Sequence, residues 1–415
     1  MATERLSSII RHLAPGSSLN NIQSKNPDDI VITLAVRTPL TKARKGGFKD
    51  TSLEYMIYAL LEQVRLKSGV DPALVEDFCL GNVSDAKAAY KLRAAALAAG
   101  FPNTAGASSV NRFCSSGLKA TADIAHAITN GSIEVGVALG AESMSIGGDA
   151  LDKPFDEVVL SKSQEAADCM MPMGWTSENV SKDFGVTRDK MDEYAAESFQ
   201  RAEKAQAQGW STDEIVPITT RVKGPDGELK EVTLTQDDGI RKATTKEGLG
   251  KIRPAFPQWG DATTGGNASQ VTDGAAAVLL MKRSTAVKLG QPIVAKYVGS
   301  TVAGLAPRIM GIGPSIAIPK LLAQLGITLA DIDVIELNEA FASMAVYCRD
   351  TLALDWTKMN PRGGAIALGH PLGATGARQI VTGLSELRRT NKKILLTSMC
   401  IGSGQGMAGL FVNEQ

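Results

Sequence analysis

Two segments of the chain share one pattern, an apolar stretch that ends at an asparagine, and this repeat constrains the fold more than any other feature. Residues 76–82 resemble residues 332–338. Cys114 lies 32 residues after the asparagine of the first segment, and His370 lies 32 residues after the asparagine of the second. Cys114 and His370 each open a glycine-bearing segment with the pattern of a helix start. Because an internal repeat indicates a duplicated structural unit, we expect two related halves in which Cys114 and His370 occupy equivalent places.

Short apolar runs alternate with longer, helix-like segments along the chain. Buried strands are expected at 31–36, 133–139, 275–281, 334–337 and 394–399, and helices at 53–66 and 118–128. The short runs have the length of strands, whereas the longer segments are long enough for helices. This alternation is typical of the α/β fold class.

Two regions differ from the rest of the chain in composition and hydrophobic periodicity. Residues 1–27 lack the periodicity of a core and are interpreted as a flexible or targeting segment. Residues 148–260 contain more Lys, Asp, Glu and Gln and fewer strand-like runs, which favours an inserted and more solvated loop domain. We therefore expect one half at 28–147, completed by about 261–285, and the other half at 286–415.

One helix of the inserted region is predicted in detail. Thr187 is a suitable N-cap, and Gly209 fits the first position after the helix. The apolar side chains between them recur on one face, so we interpret the stripe as a packing surface. Its members are Met191, Tyr194, Ala195, Phe199 and Ala202.

Composition argues against several kinds of protein. The 44 Lys+Arg residues balance the 44 Asp+Glu residues, so no basic surface for nucleic acid is expected. No apolar run approaches the roughly 18 residues of a membrane span. Five cysteines, no CxxC pair and three histidines make a disulfide framework or a metal site improbable.

Cys114 is the candidate nucleophile. It follows Asn111-Arg112-Phe113 and precedes a predicted helix, where free N–H groups and the helix dipole favour a thiolate and lower a thiol pKa. The remaining cysteines outside the C-terminal block have apolar or helical surroundings and are expected to be buried small side chains. They are Cys79, Cys169 and Cys348.

His370 and Cys400 are candidate acid and base groups. Glycines flank His370, so the imidazole is poorly explained as core filling, whereas His126 in the middle of a helix is expected to be structural. Cys400 ends a predicted strand and begins a glycine-rich turn with approachable backbone N–H groups. The literal G-x-G-x-x-G at 404–409 suggests a dinucleotide site, but only six residues follow it, too few for the helix and acidic residue of that fingerprint.

Several blocks in the same order resemble the signatures of the thiolase family, from about residue 30 to the end. The blocks are 111–117, 338–342, 363–378 and 400–406, with further matches at 140–144 and 266–269. The resemblance implies the thiolase fold, in which two βαβαβαββ halves form a layered α/β/α/β/α core with an inserted loop domain. That fold agrees with the repeat and with the change of composition.

The reaction implied by the resemblance is the cleavage of a 3-oxoacyl-CoA by CoA, through a thioester on Cys114 in a ping-pong mechanism. Attack on a ketone needs a soft nucleophile, and the departing enolate must be stabilised and protonated. By resemblance, His370 activates Cys114 and, with a water held by Asn338, binds the enolate oxygen.

The resemblance assigns four further residues. The N–H groups of Cys114 and Gly402 would form a second oxyanion hole, and Cys400 would serve as general acid and then as general base. Ser269 and Met173 would contact the pantetheine arm of CoA. CoA is then a co-substrate, and no permanently bound cofactor or metal is expected. The family also implies a homodimer.

The N-terminus suggests a compartment. Arg5-Leu6, five residues and then His12-Leu13 resemble the type 2 peroxisomal targeting signal, which an import receptor recognises. This pattern predicts a location in the peroxisomal matrix and a role in fatty-acid β-oxidation.

Three other functions are compatible with parts of the sequence. A synthetic, acetoacetyl-CoA-forming thiolase would share the same blocks. A non-catalytic acyl-CoA-binding protein would keep the fold but gives no reason to retain Cys114, His370 and Cys400 together. A nicotinamide-dependent dehydrogenase would rest only on the truncated glycine motif.

Overall fold

A computed structural model describes residues 19–147 and 155–415 of the chain. Within these ranges the α-helices are α1 (Leu19–Gln23), α2 (Leu53–Ser68), α3 (Ala88–Ala98), α4 (Ser116–Thr129), α5 (Glu157–Ser161), α6 (Gln164–Asp168), α7 (Met173–Phe184), α8 (Arg188–Ala207), α9 (Lys246–Gly250), α10 (Arg283–Lys288), α11 (Pro314–Leu325), α12 (Ala342–Thr351), α13 (Ala365–Leu368) and α14 (Thr375–Thr390). The strands are β1 (Ile30–Arg37), β2 (Thr41–Lys42), β3 (Asp77–Gly81), β4 (Gly106–Val110), β5 (Val135–Glu142), β6 (Ile218–Lys223), β7 (Leu229–Leu234), β8 (Thr272–Lys282), β9 (Ala295–Gly304), β10 (Val334–Leu337), β11 (Ile394–Ile401) and β12 (Gln405–Asn413).

One long mixed sheet runs in the order β10-β11-β12-β9-β1-β8-β5-β3-β4, and the short β2 pairs with β8. From its centre outwards the sheet repeats the same arrangement. The pairs β1-β8 and β8-β5 are antiparallel and β5-β3 is parallel, while β9-β12 and β12-β11 are antiparallel and β11-β10 is parallel. The halves join where β1 meets β9, through two residue pairs. The predicted duplication is confirmed.

The repeated asparagines occupy equivalent places in the two halves. Asn82 directly follows β3, and Asn338 directly follows β10. Cys114 stands just before α4, and His370 stands before a short 3-10 turn that leads into α14. The chain therefore delivers one candidate catalytic residue to the start of the central helix of each half.

The elements form five layers. Helices α2 and α3 pack on strands of the first half. Helices α4 and α14 lie between the two halves of the sheet. Helix α11 packs on β9, β11 and β12 of the second half. Clusters of buried apolar residues fill the spaces between the layers. Each fully buried aliphatic side chain contributes about 1.5–3 kcal/mol of hydrophobic stabilisation. The predicted α/β/α/β/α layering is confirmed.

The two central helices touch through glycine. A Cβ on Gly376 of α14 would lie 2.4 Å from the backbone nitrogen of Leu118 in α4. A Cβ on Gly117 of α4 would lie 2.7 Å from the backbone nitrogen of Ala377 in α14. Side chains at either position would therefore force the helices apart. This close approach brings the starts of α4 and α14 to one junction.

The chain between β5 and β8 contains α5 to α9 and the hairpin β6-β7, which lies apart from the main sheet. Helix α8 starts as predicted, because the Thr187 side chain accepts a hydrogen bond from the N–H of Lys190. Gly209 follows the helix with a left-handed φ of +66°. All five residues of the predicted stripe are buried.

Two features differ from the expectations, and one prediction concerns residues outside the described ranges. Helix α1 lies inside 1–27, where no core periodicity was expected; it is only one turn and a half long, but Ile22 is 3% exposed and packs in the core. Cys169 is half-buried rather than buried, because it ends the short α6 near the surface. The signal residues Arg5, Leu6, His12 and Leu13 lie outside the described residues.

Candidate active site

Cys114 sits in a tight turn between β4 and α4 and is 8% exposed. The preceding residue, Phe113, has a left-handed φ of +47°, which costs a non-glycine residue about 1–3 kcal/mol. Three hydrogen bonds hold this turn: the Phe113 N–H donates to Asn111 Oδ1, the Arg112 N–H donates to Ser116 Oγ, and that hydroxyl donates to the Phe113 carbonyl. The strained turn places the thiol just ahead of the helix.

His370 is held on three sides and is 5% exposed. Its Nδ1 lies 2.6 Å from Thr375 Oγ1, its Nε2 lies 3.4 Å from Asn338 Nδ2, and its backbone N–H donates to the Gln270 carbonyl at 3.0 Å. The Thr375 hydroxyl and the Asn338 amide therefore hold the two sides of the ring, and Nε2 faces Asn338.

The turn before His370 requires glycine. Gly369 has a φ of +108°, and a Cβ there would lie 2.1 Å from the hydroxyl oxygen of Thr272. Only glycine adopts this conformation without strain. The glycine that precedes His370 is therefore required by the backbone conformation of this turn.

Cys400 lies near the end of β11 and is 1% exposed. It belongs to a small apolar cluster with Met310, Ala340 and Met344, against which the side chains of Met173 and Phe341 pack. The chain then turns through Ser403, which has a left-handed φ of +68°. This turn follows Gly402, whose N–H donates a hydrogen bond to the Cys114 sulfur.

The segments that carry the candidate residues meet at the junction of the halves. Cys114 contacts Gly402 and interacts electrostatically with Cys400. A Cβ on Gly117, three residues after Cys114, would lie 2.9 Å from the carbonyl oxygen of Gly373, three residues after His370. The two helix starts thus carry the thiol and the imidazole toward each other.

The two residues predicted to contact CoA lie beside this junction. A Cβ on Gly402 would lie 3.8 Å from the Met173 sulfur. The Ser269 N–H donates to the Ala340 carbonyl at 2.9 Å, and Ser269 is partly exposed. His126 lies away from them on α4, with its ring 6.5 Å from that of Tyr297.

Burial keeps the candidate groups neutral. It raises the pKa of the Cys114 thiol to about 11, with a smaller contribution from the Glu142 charge, against the Gly402 N–H bond that lowers it. Burial, and then the charge of Arg378, lower the pKa of His370 to about 3. Burial raises the pKa of Cys400 well above its usual range. The expected lowering of the Cys114 pKa by the helix start is wrong for the free protein, because desolvation outweighs it.

Two buried carboxylates support the site, and the sequence did not single them out. Glu142 accepts hydrogen bonds from the N–H of Val83 at 3.0 Å in one half and of Gly373 at 2.9 Å in the other. Glu339 directly follows Asn338 and is 1% exposed. Both lie inside blocks that carried the family resemblance. Their hydrogen-bond partners are distant in the chain, so no local sequence pattern predicts these contacts.

The described residues contain neither a candidate metal cluster nor a helix suited to span a membrane. Residues 19–147 and 155–415 contain no group of three or more His, Cys, Asp or Glu side chains placed to hold a metal ion. Among the helices in those ranges, none combines the length and apolar character needed to cross a membrane. In the block 404–409, β12 rather than a helix follows the first glycine, in agreement with the rejection of a dinucleotide site.

The family models match almost all of the chain. Residues 30–284 match the thiolase N-terminal domain, and residues 291–413 match the thiolase C-terminal domain. The chain belongs to the thiolase family. This membership agrees with the duplicated sheet and with the convergence of the signature blocks.

Individual thiolases are similar over nearly their full length. The peroxisomal 3-ketoacyl-CoA thiolase of Yarrowia lipolytica is 50% identical over 99% of this chain and 100% of its own, and that of Homo sapiens is 45% identical over 98% and 99%. The dimeric peroxisomal thiolase of Saccharomyces cerevisiae has a TM-score of 0.87 at 44% identity, covering 95% of this chain and 100% of its own. A Bacillus anthracis acetyl-CoA acetyltransferase has a TM-score of 0.84 at 35% identity, covering 94% and 100%.

The raised pKa of Cys114 predicts the pH dependence of its alkylation in the free protein. Iodoacetamide reacts with the thiolate, and a thiol with a pKa of about 11 is about 0.1% ionised at pH 8. The rate at Cys114 should therefore rise about tenfold per pH unit from pH 6 to pH 9. Mass spectrometry of the Cys114 peptide measures this rate, with Cys114→Ala as the background. A plateau below pH 8 would contradict a neutral resting thiol.

Proposed function

We propose that this thiolase cleaves 3-oxoacyl-CoA with CoA, giving acetyl-CoA and a chain-shortened acyl-CoA, as part of fatty-acid β-oxidation. The observation that carries the proposal is the convergence of three signature blocks: Cys114 contacts Gly402 and interacts with Cys400, and the segment after Cys114 touches the segment after His370. The names of the relatives, among them peroxisomal 3-ketoacyl-CoA thiolases at 45–50% identity, support the substrate class.

In the first half-reaction, Cys114 Sγ attacks the 3-oxo carbon while His370 Nε2 accepts the thiol proton. The bond between C2 and C3 then breaks, which leaves the acyl group on Cys114 and the enolate of acetyl-CoA. The Asn338 amide, whose Oδ1 is buried and accepts no hydrogen bond from the described residues, binds a water at the enolate oxygen. Cys400 gives its proton to C2, and acetyl-CoA departs.

In the second half-reaction, the thiol of CoA gives its proton to the Cys400 thiolate and attacks the thioester. The N–H groups of Cys114 and Gly402 stabilise the oxyanion of the tetrahedral intermediate. The intermediate then expels the Cys114 sulfur, which recovers its proton from His370. All three groups return to their neutral state, so one thiol at Cys400 serves as acid and then as base.

Neutrality of the resting site suits this sequence of steps. A base must be unprotonated to accept a proton, and burial keeps His370 in that form. An acid must hold its proton until the enolate forms, and burial keeps Cys400 protonated. The apolar cluster around Cys400 also excludes water from the thioester, which favours transfer to CoA over hydrolysis.

In the proposed mechanism, CoA binds beside the junction of the two halves. Ser269 and Met173 flank the junction and contact the pantetheine arm, and the apolar cluster around Cys400 accommodates the start of the acyl chain. CoA acts as co-substrate, and no permanently bound group takes part.

We also propose the division of the chain given by its composition. The first half spans 28–147 and is completed by about 261–285, the loop domain spans 148–260, and the second half spans 286–415. The antiparallel pairing of β8 with β1 and β5 supports the late completion of the first half. The boundary of the two family models at 284 and 291 supports the last division.

A homodimer is proposed from the fold and the dimeric yeast relative. Strand β4 is the last strand of the sheet, and all five of its residues are exposed or half-buried. An exposed strand edge can pair with the same edge of a second copy. A monomer in sedimentation equilibrium at micromolar concentration would contradict this assembly.

The alternative function, the synthesis of acetoacetyl-CoA from two acetyl-CoA, is not favoured, because relatives of 45–50% identity are named 3-ketoacyl-CoA thiolases, whereas the bacterial acetyl-CoA acetyltransferase is 35% identical. Both functions use the same steps in opposite directions. A non-catalytic acyl-CoA carrier is not favoured, because binding alone needs neither thiol.

The peroxisomal location is proposed from residues 5–13 and from the names of the relatives. The replacement of Arg5 and His12 by alanine in a chain fused to a fluorescent reporter should leave the fusion in the cytosol, whereas the unchanged fusion enters peroxisomes. Import that survives both replacements would show that this segment is not the signal.

The proposed chemistry predicts a covalent intermediate. Incubation with acetoacetyl-CoA without CoA should add an acetyl mass to the Cys114 peptide, and Cys114→Ala should lower thiolytic turnover by roughly a thousandfold or more. Cys79→Ala, which removes another buried thiol away from the junction, should keep both properties. Turnover by Cys114→Ala at the native rate would exclude the mechanism. Rates across short, medium and long 3-oxoacyl-CoA distinguish a degradative enzyme from a synthetic one.

A further inference from the structure

Asn338 lies between two residues that are both fastened to Asn360. The N–H of Leu337 donates to Asn360 Oδ1 at 2.8 Å, and Asn360 Nδ2 donates back to the Leu337 carbonyl at 2.8 Å. The same Nδ2 donates to Glu339 Oε1 at 2.7 Å. Asn360 makes these contacts from a left-handed backbone conformation with a φ of +45°. One amide side chain therefore fixes the backbone before Asn338 and the side chain after it.

Glu339 is the centre of a larger set of contacts. Besides Asn360, its carboxylate accepts hydrogen bonds from Tyr194 OH at 3.0 Å, Ser198 Oγ at 2.7 Å and the Ile366 N–H at 3.1 Å. A carboxylate that is 1% exposed needs such donors to offset its loss of water. Tyr194 and Ser198 lie on α8 of the inserted region. We call Glu339, Tyr194, Ser198 and Asn360 the Glu339 cradle.

Asn338 itself has few direct restraints. Its N–H donates to the Ser398 carbonyl at 2.9 Å, which fixes the end of β10. Its side chain makes one long contact, 3.4 Å, to His370 Nε2. The direction of the amide therefore depends on the backbone on either side of it, and the Glu339 cradle holds that backbone.

We propose that the Glu339 cradle is a positioning device that sets the Asn338 amide for the enolate oxygen and ties its place to helix α8 of the inserted region. This inference rests on the proposed function, since it assumes that Asn338 acts on the enolate. None of the cradle side chains touches substrate in the proposed mechanism. They act through Asn338. Two of them, Tyr194 and Ser198, belong to the same inserted region as Met173, which begins helix α7.

The two half-reactions depend differently on the cradle. The enolate forms only in the first half-reaction, so misplacement of Asn338 slows acylation of Cys114. The second half-reaction uses the N–H groups of Cys114 and Gly402 and does not need Asn338. A general loss of structure would instead slow both half-reactions.

Tyr194→Phe tests this difference. The substitution removes one donor to Glu339 and keeps the ring, which stacks on Trp356 at a centroid distance of 5.8 Å. Tyr297→Phe is the matched control, because Tyr297 is also buried and its hydroxyl pairs with Ser300, three residues along the chain, at 3.0 Å. Ser198→Ala is a second variant that removes a different donor to Glu339.

Rapid-quench measurements should give the rate of acetyl-Cys114 formation from acetoacetyl-CoA and, separately, the rate of CoA attack on preformed acetyl-enzyme. In Tyr194→Phe and Ser198→Ala, we expect acylation to fall about tenfold or more and deacylation to stay within about twofold of the native rate. In Tyr297→Phe, both rates should stay near native at a similar loss of melting temperature.

Two results would overturn the positioning role: equal losses in both half-reactions, or acylation in Tyr194→Phe as fast as in Tyr297→Phe. Failure of the proposed function is distinguishable from either, because then the native protein itself would form no acetyl-Cys114.

Discussion

The structure depends on the close contact between the starts of two helices, one from each half. Glycines at 117 and 376 let the backbones of α4 and α14 approach to a distance that no side chain would allow. The Glu142 carboxylate links the two halves beside this contact, since it accepts hydrogen bonds from the N–H of Val83 in one half and of Gly373 in the other. The duplicated fold thus makes one site out of two halves, with a thiol on one helix start and an imidazole on the other.

Burial at this junction sets the chemistry. Water is largely excluded, so the free thiol and the imidazole stay neutral, although the thiol stands at the start of a helix. In the proposed mechanism, a charged pair forms only when substrate offers an electrophilic carbon and an oxygen that can take the negative charge. In such a site the polar groups stabilise the reacting atoms and do not form an ion pair in the resting protein.

The sequence predicted the fold well where the signal was local or repeated. The strand 334–337 and the cap of α8 at Thr187 lie where expected, because apolar runs and capping residues act over a few positions. The duplication followed from two equal spacings. The pKa of Cys114 was predicted in the wrong direction, because a helix start is visible in sequence whereas the depth of burial is not.

The supporting carboxylates could not be predicted for a similar reason. Glu142 and Glu339 have their donors at positions far along the chain, among them Gly373 and Tyr194. Only the folded structure shows that these contacts hold the segments next to Cys114 and Asn338. The sequence therefore predicted the candidate reacting groups, and the structure adds the groups that hold the segments around them.

The most direct measurement of the central claim is a crystal structure of the protein trapped with an acetyl group on Cys114. The account predicts that His370 Nε2, Cys400 Sγ and the Gly402 N–H all lie within about 3–4 Å of the thioester atoms. An acetyl group that lies in one cavity, with His370 or Cys400 facing another, would contradict it.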